Sequence, residues 1–284
     1  MAERGPLIRN ISETALWVAV YRARETERPD AAFRDPFARR LAGPRGEEIA
    51  RSFPFSDKAA WAWVSRTVLF DQLIEEQVRA GADRVVNLAA GLDARPYRMA
   101  LPPALKWVEV DLPDMLTHKA EILAGEKPVC SLERVGLDLS DVSARRALFE
   151  RLGRSATRVL VVSEGLLIYL APEEAGALAR DLASPGTFRS WALDIASPGL
   201  LKMIQKDSGA QLSAAGAELK FGPAEGPGFF VPHGWKPVDI RSPLKTGARL
   251  KRLSFGLRLI AMLPESSGPQ GSRPWSGVCL FERA

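Results

Sequence analysis

The stretch 84-RVVNLAAGLD-93 joins an apolar run, residues 84–88, directly to a turn of small residues. A short run rich in apolar and β-branched side chains predicts a buried strand. The turn that follows, with Gly91 in it, lets a ligand approach the backbone and exposes amide donors. A single glycine is a weak signal, because small turns after strands are common. The stretch therefore predicts a strand followed by a candidate ligand-binding turn.

The same strand-and-helix alternation continues along the chain. Four further runs have strand character, at 106–111, 132–139, 158–164 and 187–195. Helical patterns lie between them, at about 113–124, 141–152 and 172–183. Strands that alternate with helices of about 10–15 residues indicate βαβ units and a parallel sheet. Right-handed crossovers then give a doubly wound, Rossmann-like α/β fold.

The two ends of the chain have a different character. Helical patterns at 12–28, 35–42 and 57–80 precede the first strand. After residue 200 the pattern weakens, and residues 205–234 are rich in Gly and Pro. The apolar runs 250–262 and 275–282 predict a closing hairpin with a Gly- and Pro-rich loop between them.

Composition excludes several classes of protein. With 46% hydrophobic and 26% charged residues the chain has the average composition of a globular protein, so general disorder is excluded. Two cysteines and two histidines are too few for a disulfide framework or a metal centre, so no metal is expected. No signal sequence or membrane-spanning run is apparent, so no membrane partner is expected, and the oligomeric state is left open. The low cysteine content favours a reducing cytoplasm. The net charge of +5 is spread along the chain, including residues 249–258, which indicates solvated faces and makes nucleic acid an unlikely partner.

Three acidic residues stand at the carboxyl ends of predicted strands. Asp111 lies 20 positions after Gly91, the spacing at which a carboxylate holds ribose hydroxyls. Asp138, followed by Leu139, could grip an adenine, although both aspartates could instead cap helices. Glu164 would be buried and must be paired or meet a ligand. Parallel strands bring their carboxyl ends to one edge, so these residues predict one nucleotide-like binding site.

Five motifs occur together in an order that resembles one family. They are RETERPDAAFRDPFARRLA at 24–42, VVNLAAGLDARPYRM at 85–99, WVEVDLPDMLTHK at 107–119, LDLSD at 137–141 and VVSEGLLIYLAPEE at 161–174. Over roughly residues 10–185 the chain resembles the S-adenosylmethionine-dependent methyltransferases of the leucine carboxyl methyltransferase-like family. That family includes bacterial O-methyltransferases of secondary metabolism. The resemblance implies S-adenosyl-L-methionine as the cofactor.

The resemblance also implies a fold and a set of site residues. The fold is a class I methyltransferase with a seven-stranded, mostly parallel sheet, helices on both faces and a helical N-terminal cap. The implied cofactor-binding residues are Arg66 for the methionine carboxylate, Gly91 beneath the cofactor, Asp111 for the ribose, Asp138 and Leu139 for the adenine, and Glu164 near the amino group. One departure is Ala89, which stands where the family often has glycine. The expected organisation is a single domain, 1–284, with a cap (1–80), a cofactor-binding core (81–195) and a variable segment with closing strands (196–284).

The methyl acceptor is left open by the sequence. A carboxylate acceptor is already anionic at pH 7, whereas a hydroxyl would benefit from a general base. Candidates for acceptor-side or base roles are His233, Tyr169 and Tyr21, and all three are more simply explained by packing. The favoured function is methylation of a small molecule on a carboxylate or hydroxyl. Alternatives are a protein C-terminal carboxyl or RNA-modifying methyltransferase, or a non-catalytic homologue. A dehydrogenase ranks lower, because the turn lacks G-x-G-x-x-G.

Overall fold

A seven-stranded sheet forms the centre of the computed structural model, which describes residues 12–52, 54–214, 216–265 and 271–284. The strands are β1 (Arg84–Leu88), β2 (Lys106–Asp111), β3 (Ser131–Gly136), β4 (Val159–Ser163), β5 (Phe188–Ala196), β6 (Trp235–Arg241) and β7 (Ser276–Arg283). Their order is β3-β2-β1-β4-β5-β7-β6, and only β7 runs antiparallel to its neighbours. The predicted Rossmann-like, mostly parallel sheet is therefore confirmed.

Ten α-helices surround this sheet in the described part of the chain. They are α1 (Glu13–Thr26), α2 (Ala38–Ser52), α3 (Pro54–Arg79), α4 (Arg95–Arg98), α5 (Pro113–Ile122), α6 (Val142–Arg154), α7 (Pro172–Ala183), α8 (Pro198–Ala214), α9 (Pro243–Arg249) and α10 (Phe255–Ala261). Two 3-10 helices lie at Leu167–Tyr169 and Gly226–His233. Five of the α-helices begin with proline, whose fixed φ and missing N–H are tolerated in the first turn.

The sheet is covered on both faces, which is why β1 and β4 are buried along their whole length. On one face α6 and α7 pack around Trp191, which is fully buried. On the other face α3 contributes Leu69, Phe70 and Leu73, which pack with Trp107. The last helix of the predicted cap is thus part of the core of the sheet.

Helices α1 and α2 lie over the carboxyl ends of β1 and β2. Ala19 and Val20 of α1 pack in one cluster with Leu92 from the turn after β1 and Met115 of α5. Arg22 fixes this contact, because its Nη2 donates to the carbonyl of Leu92 at 2.6 Å. The helices leave a space between themselves and the sheet edge, and this space holds the candidate site.

Two predictions about the elements need correction. Residues 250–262 do not form a strand, because they contain α10, and β6 is the strand that pairs with β7 at the sheet edge. β3 ends at Gly136, so Asp138 and Leu139 lie in the loop beyond the strand. The predictions on residues 1–11 and 266–270, which concern the leader and part of the closing loop, lie outside the described residues.

Candidate active site

A cavity of about 670 Å³ opens at the carboxyl ends of the central strands, beneath α1. Residues after β1, β2, β3, β4 and β5 line it, together with side chains of α1, α3, α7 and α8. Its volume lies in the range of small-molecule and cofactor sites. The edge of an open parallel sheet, near the point where the strand order reverses, is also where such folds bind ligands.

The turn after β1 is bound directly to Asp111 at the end of β2. The amide of Gly91 donates to Oδ2 of Asp111 at 2.6 Å, and the amide of Leu112 donates to Oδ1 at 2.7 Å. Burial raises the pKa of Asp111, although these two hydrogen bonds act to lower it. A carboxylate offers about four acceptor positions, so two remain for a ligand in the cavity. Gly91 has a φ of +47°, and a Cβ there would lie 3.2 Å from Cβ of Ala15.

The buried side chain of Asp93 lies beneath the same turn and stabilises the conformation of the turn. Asp93 accepts from Nδ2 of Asn87 at 2.8 Å and from Nη1 of Arg95 at 3.0 Å. Burial acts to raise the pKa of Asp93, but the charges of Arg95 and other nearby cations outweigh it and lower the pKa to about 2. The backbone of Ala89 in this turn has a φ of +49°, in the left-handed region that favours glycine.

A chain of alternating charges lies at the other side of the cavity. Nε of Arg66 donates to Glu164 at 3.1 Å, and its Nη1 donates to Asp194 at 3.2 Å. Glu164 also meets Nη1 of Arg95 at 2.8 Å. Within the described chain Nη2 of Arg66 has no hydrogen-bond partner, so this guanidinium retains a donor near the cavity.

Sequence reasoning missed Asp194, which lies two residues before the end of the apolar strand β5, beside the cavity. Its Oδ1 accepts from the amide of Gly165 at 2.6 Å, and burial raises its pKa while Arg66 acts to lower it. The same signal that singled out Glu164, an acid at the carboxyl end of a buried strand, would have found it.

The loop after β3 brings Asp138 and Leu139 to the cavity wall. Asp138 is exposed, and its Oδ1 accepts from the amide of Ser140 at 2.8 Å, which lowers its pKa. The carbonyl of Leu139 accepts from Nη1 of Arg145 at 3.0 Å, so α6 holds this loop in place. The six predicted cofactor-binding residues therefore all line one cavity.

The three acceptor-side candidates are placed differently from one another. Tyr169 lines the cavity, and burial raises its pKa. Tyr21 lies outside the lining, stacks on Trp63 at 4.6 Å and donates to Asp57 at 3.2 Å. His233 also lies outside the lining, with Nδ1 3.0 Å from Nη1 of Arg180. Burial, and then the charge of Arg180, lower the pKa of His233.

The remaining wall of the cavity is apolar. Ile168, Ile204, Leu212 and Leu219 form it together with Trp17, whose ring centroid lies 5.0 Å from that of Trp63. Among the described residues no cluster of three or more His, Cys, Asp or Glu side chains is arranged to hold a metal ion. In the same part of the chain, no helix combines the length and the apolar character that crossing a membrane requires.

Comparisons with known proteins give the family. Residues 15–183 match the profile of leucine carboxyl methyltransferase. A protein of Streptomyces coelicolor, named by inference as an S-adenosyl-L-methionine-dependent methyltransferase, is 35% identical over 272 residues, which cover 91% of this chain and 92% of the relative. A Parafrankia protein with the same kind of name is 33% identical over 255 residues, covering 84% and 81% of the two chains.

Solved structures give the same fold. A protein of Thermobifida fusca, whose name as a methyltransferase rests on inference, superposes with a TM-score of 0.58 at 12% identity. The superposition covers 98% of this chain and 96% of the other. A DUF574-family protein of Streptomyces avermitilis gives a TM-score of 0.55 at 14% identity, with coverage of 95% and 97%. Fold and relatives together define the chain as an S-adenosylmethionine-dependent methyltransferase. It belongs to the leucine carboxyl methyltransferase family.

Proposed function

We propose that this enzyme transfers a methyl group from S-adenosyl-L-methionine to a carboxylate or hydroxyl oxygen of a small molecule, in secondary metabolism. The observation that carries the proposal is the two-sided cavity. One side holds the charges of Arg66, Asp111 and Glu164, and the other is the apolar wall around Trp17 and Ile204. A polar cofactor suits the first side, and the second suits an acceptor with an apolar body.

We assign the charged side to the cofactor. Asp111 has two free acceptor positions for the ribose hydroxyls, and the loop at Asp138 and Leu139 offers a carboxylate and a backbone edge for the adenine. The free Nη2 of Arg66 suits the methionine carboxylate, and Glu164 suits the amino group. Gly91 leaves the room that the cofactor needs at the turn. When bound, S-adenosylmethionine supplies an electrophilic methyl group.

The enzyme's contribution to the reaction is then orientation in a dry site. With S-adenosylmethionine bound, its sulfonium would supply the methyl group to the acceptor oxygen, and S-adenosylhomocysteine would be the second product. Catalysis needs an in-line arrangement of oxygen, carbon and sulfur, which is a problem of proximity and orientation. The apolar wall excludes water from this arrangement.

The side chains around the cavity bear on whether a hydroxyl acceptor would find a base. Among the described residues that line it, none is a histidine, lysine or cysteine, and both His233 and Tyr21 lie outside it. The groups in this lining that could accept a proton are carboxylates such as Glu173, Glu174 and Asp194. A carboxylate has no proton to lose, whereas a hydroxyl must pass one to a base. The raised pKa of Tyr169 keeps its phenol protonated at neutral pH, so it is suited to donate a hydrogen bond to an acceptor oxygen.

A titration and an acceptor screen test this function. S-adenosylhomocysteine should bind the purified protein with micromolar affinity, and NAD should not bind. Incubation with S-adenosylmethionine and a panel of carboxylic acids and phenols should then give a methylated product by mass spectrometry. Alkaline hydrolysis separates the classes, because a methyl ester is cleaved and a methyl ether is not. Methylation of only a peptide carboxyl terminus or RNA would contradict the proposal.

We also place the enzyme in a reducing cytoplasm. Cys130 and Cys279 are both free and buried, and burial raises the pKa of Cys130 to about 11, so its thiolate is scarce at neutral pH. Immunoblots of cell fractions test this placement, since recovery outside the cytoplasmic membrane would contradict it.

A further inference from the structure

The segment 243–264 differs from the rest of the chain in its charge. Its 22 residues include Lys245, Arg249, Lys251, Arg252 and Arg258, and they include no acidic residue. The whole protein has a net charge of +5, with 39 basic and 34 acidic residues, so this one segment carries positive charge out of proportion to its length. The segment contains α9 and α10, and neither belongs to the cavity wall.

The helix α10 and the residues just after it turn apolar side chains outward. Phe255 is 78% exposed and Met262 is 81% exposed, while Leu263 is 60% exposed. Leu259 and Ile260 are each 52% exposed. Positions 255, 259 and 262 share one face of a helix, because side chains three and four residues apart are neighbours. A surface helix normally presents its polar face to water, so this outward apolar stripe is the reverse of the usual arrangement.

The inner side of the segment packs against the rest of the protein. Leu253 is buried, and Gly247 of α9 packs against Trp61 and Ser65 of α3. Arg252 is occupied in the protein, because its Nη2 donates to Glu25 at 2.8 Å and its Nη1 meets Asp30 at 3.0 Å.

The four other basic side chains of the segment differ from Arg252. Lys245, Arg249, Lys251 and Arg258 are all exposed, and none forms an ion pair with an acid in the part of the chain that the structure describes. Arg249 donates to the hydroxyl of Thr246 at 2.9 Å, and Arg258 donates to the carbonyl of Leu253 at 3.1 Å. The segment thus combines exposed cations with an outward apolar stripe.

We propose that this surface, formed by residues 243–263, binds the face of a bilayer that contains anionic phospholipids. Basic side chains around an apolar helix face are the features that hold an amphipathic helix in the headgroup region, where the apolar side chains enter the boundary of the acyl layer. Cations near an anionic leaflet add binding energy through their charge. The proposal concerns docking at a surface, and it does not depend on which acceptor the enzyme methylates.

The charge distribution favours a bilayer over two other occupants. A second copy docked on the same surface by two-fold symmetry would bring like charges together, which opposes association. Nucleic acid would satisfy the cations, but it would leave Phe255, Met262 and Leu263 without an apolar environment. An anionic bilayer satisfies both features at once.

Vesicle flotation of the full chain tests the proposal. The protein should float with vesicles of phosphatidylcholine and phosphatidylglycerol. With vesicles of phosphatidylcholine alone it should remain in the bottom fraction of the gradient. Raising the salt concentration should weaken binding, because it screens the charge contribution. The double variant Arg249→Gln/Lys251→Gln should lower the partition coefficient by roughly 25-fold, since each cation contributes about fivefold. Phe255→Ser/Met262→Ser should lower it by about tenfold or more.

Two control variants on the opposite face of the sheet separate this surface from general effects. Val231→Ser replaces an apolar side chain that is 54% exposed, close to the 52% of Leu259 and Ile260, and Arg154→Gln removes an exposed charge of α6. Both should bind vesicles as the wild type does, and every variant should keep the wild-type affinity for S-adenosylhomocysteine. The proposal is overturned if wild-type protein ignores anionic vesicles, or if the control variants lose binding as much as the surface variants do. A third outcome also overturns it. In that outcome the wild type does not bind vesicles, and light scattering shows that it is a dimer whereas Phe255→Ser/Met262→Ser is a monomer.

Discussion

Ala89 is the residue where the backbone of the site is most clearly strained. The resemblance to the family singled out this position because glycine often stands there. The structure shows why glycine suits it, since the backbone of Ala89 has a φ of +49°. An L-residue with a side chain pays about 1–2 kcal/mol in this region, and glycine does not. The strain is the cost of keeping the turn after β1 tight against Asp111.

Ala89→Gly should therefore stabilise the protein. The relief of strain exceeds the extra entropy that glycine gives to the unfolded chain, about 0.4–1 kcal/mol, so the free energy of unfolding should rise by roughly 0.5–1 kcal/mol. Denaturant unfolding measures the change. Ala90→Gly is the matched control, because Ala90 is the next residue and lacks a positive φ. It should be destabilising, and a loss of stability in both variants would contradict the strain.

Protonation of Asp111 should weaken cofactor binding at acidic pH. The ribose hydroxyls need the ionised carboxylate, and burial raises the pKa of this group above its usual 3.8. Affinity for S-adenosylhomocysteine should therefore start to fall, as the solution is acidified, at a pH above 3.8. Asp111→Asn should weaken binding by about 10- to 100-fold at neutral pH, the worth of a hydrogen bond to a charged group, and should remove that acid dependence.

Calorimetric titration over a series of pH values tests both parts. Asp114→Asn is the control, because Asp114 is an exposed acid in the first turn of α5, three positions further on. It should bind S-adenosylhomocysteine as the wild type does. If Asp111→Asn kept the wild-type affinity, the ribose assignment would fail.

At the scale of elements, α6 carries ion pairs that differ in burial. Arg145 near its start donates Nε to Asp181 of α7 at 2.7 Å, and both side chains are buried. Arg154 near its end pairs with Glu150, and both of those side chains are well exposed. Removing one partner of a buried pair leaves the other charge without compensation, whereas an exposed charge is solvated by water.

Arg145→Ala should cost less than a fully broken buried pair, which costs about 3–5 kcal/mol, because Nε of Arg146 still donates to Asp181 at 2.7 Å. It should nevertheless cost more unfolding free energy than Arg154→Ala, which should cost no more than about 0.5 kcal/mol. Denaturant unfolding of the two variants compares their free energies of unfolding, and both carry the same type of substitution on the same helix. Equal losses would mean that the contact between α6 and α7 does not depend on the buried pair. Because Arg145 also holds the carbonyl of Leu139, its loss should weaken S-adenosylhomocysteine binding as well.

The elements around β1 could be predicted from sequence because one physical rule decided each of them. Buried parallel strands are rich in apolar and β-branched residues, and the acids at their carboxyl ends are conspicuous. The run 250–262 misled for the opposite reason. Phe255, Leu257 and Leu259 alternate as they would in a strand, while Phe255, Leu259 and Met262 recur as they would along one helix face. Periodicity could not decide between the two, and β6 was hidden by Pro237, next to which its register shifts.

At the scale of the whole molecule, the cap and the core of the sheet are physically one body. The helix α3 belongs to the first 80 residues, yet its side chains Leu69, Phe70 and Ile74 fill the core on one face of the sheet. The same helix supplies Arg66 to the cavity, and α1 closes the cavity from above. The site therefore cannot be assigned to residues 81–195 alone, because removing the first 80 residues would expose a core face and remove the part of the cavity wall that α1 and α3 supply.

This sharing predicts how the molecule unfolds. Because α3 fills the core on one face of the sheet, and α1 and α2 pack on the turn after β1 and on α5, scanning calorimetry should give one transition whose calorimetric and van't Hoff enthalpies agree. S-adenosylhomocysteine at about 100 times its Kd adds about 2.7 kcal/mol of stability, which should move the whole transition up by about 5 °C. Asp111→Asn at the same ligand concentration should show a smaller shift. Two resolved transitions, of which the ligand moved only one, would mean that the cap is a separate unit and that the cofactor contacts only one part of the chain.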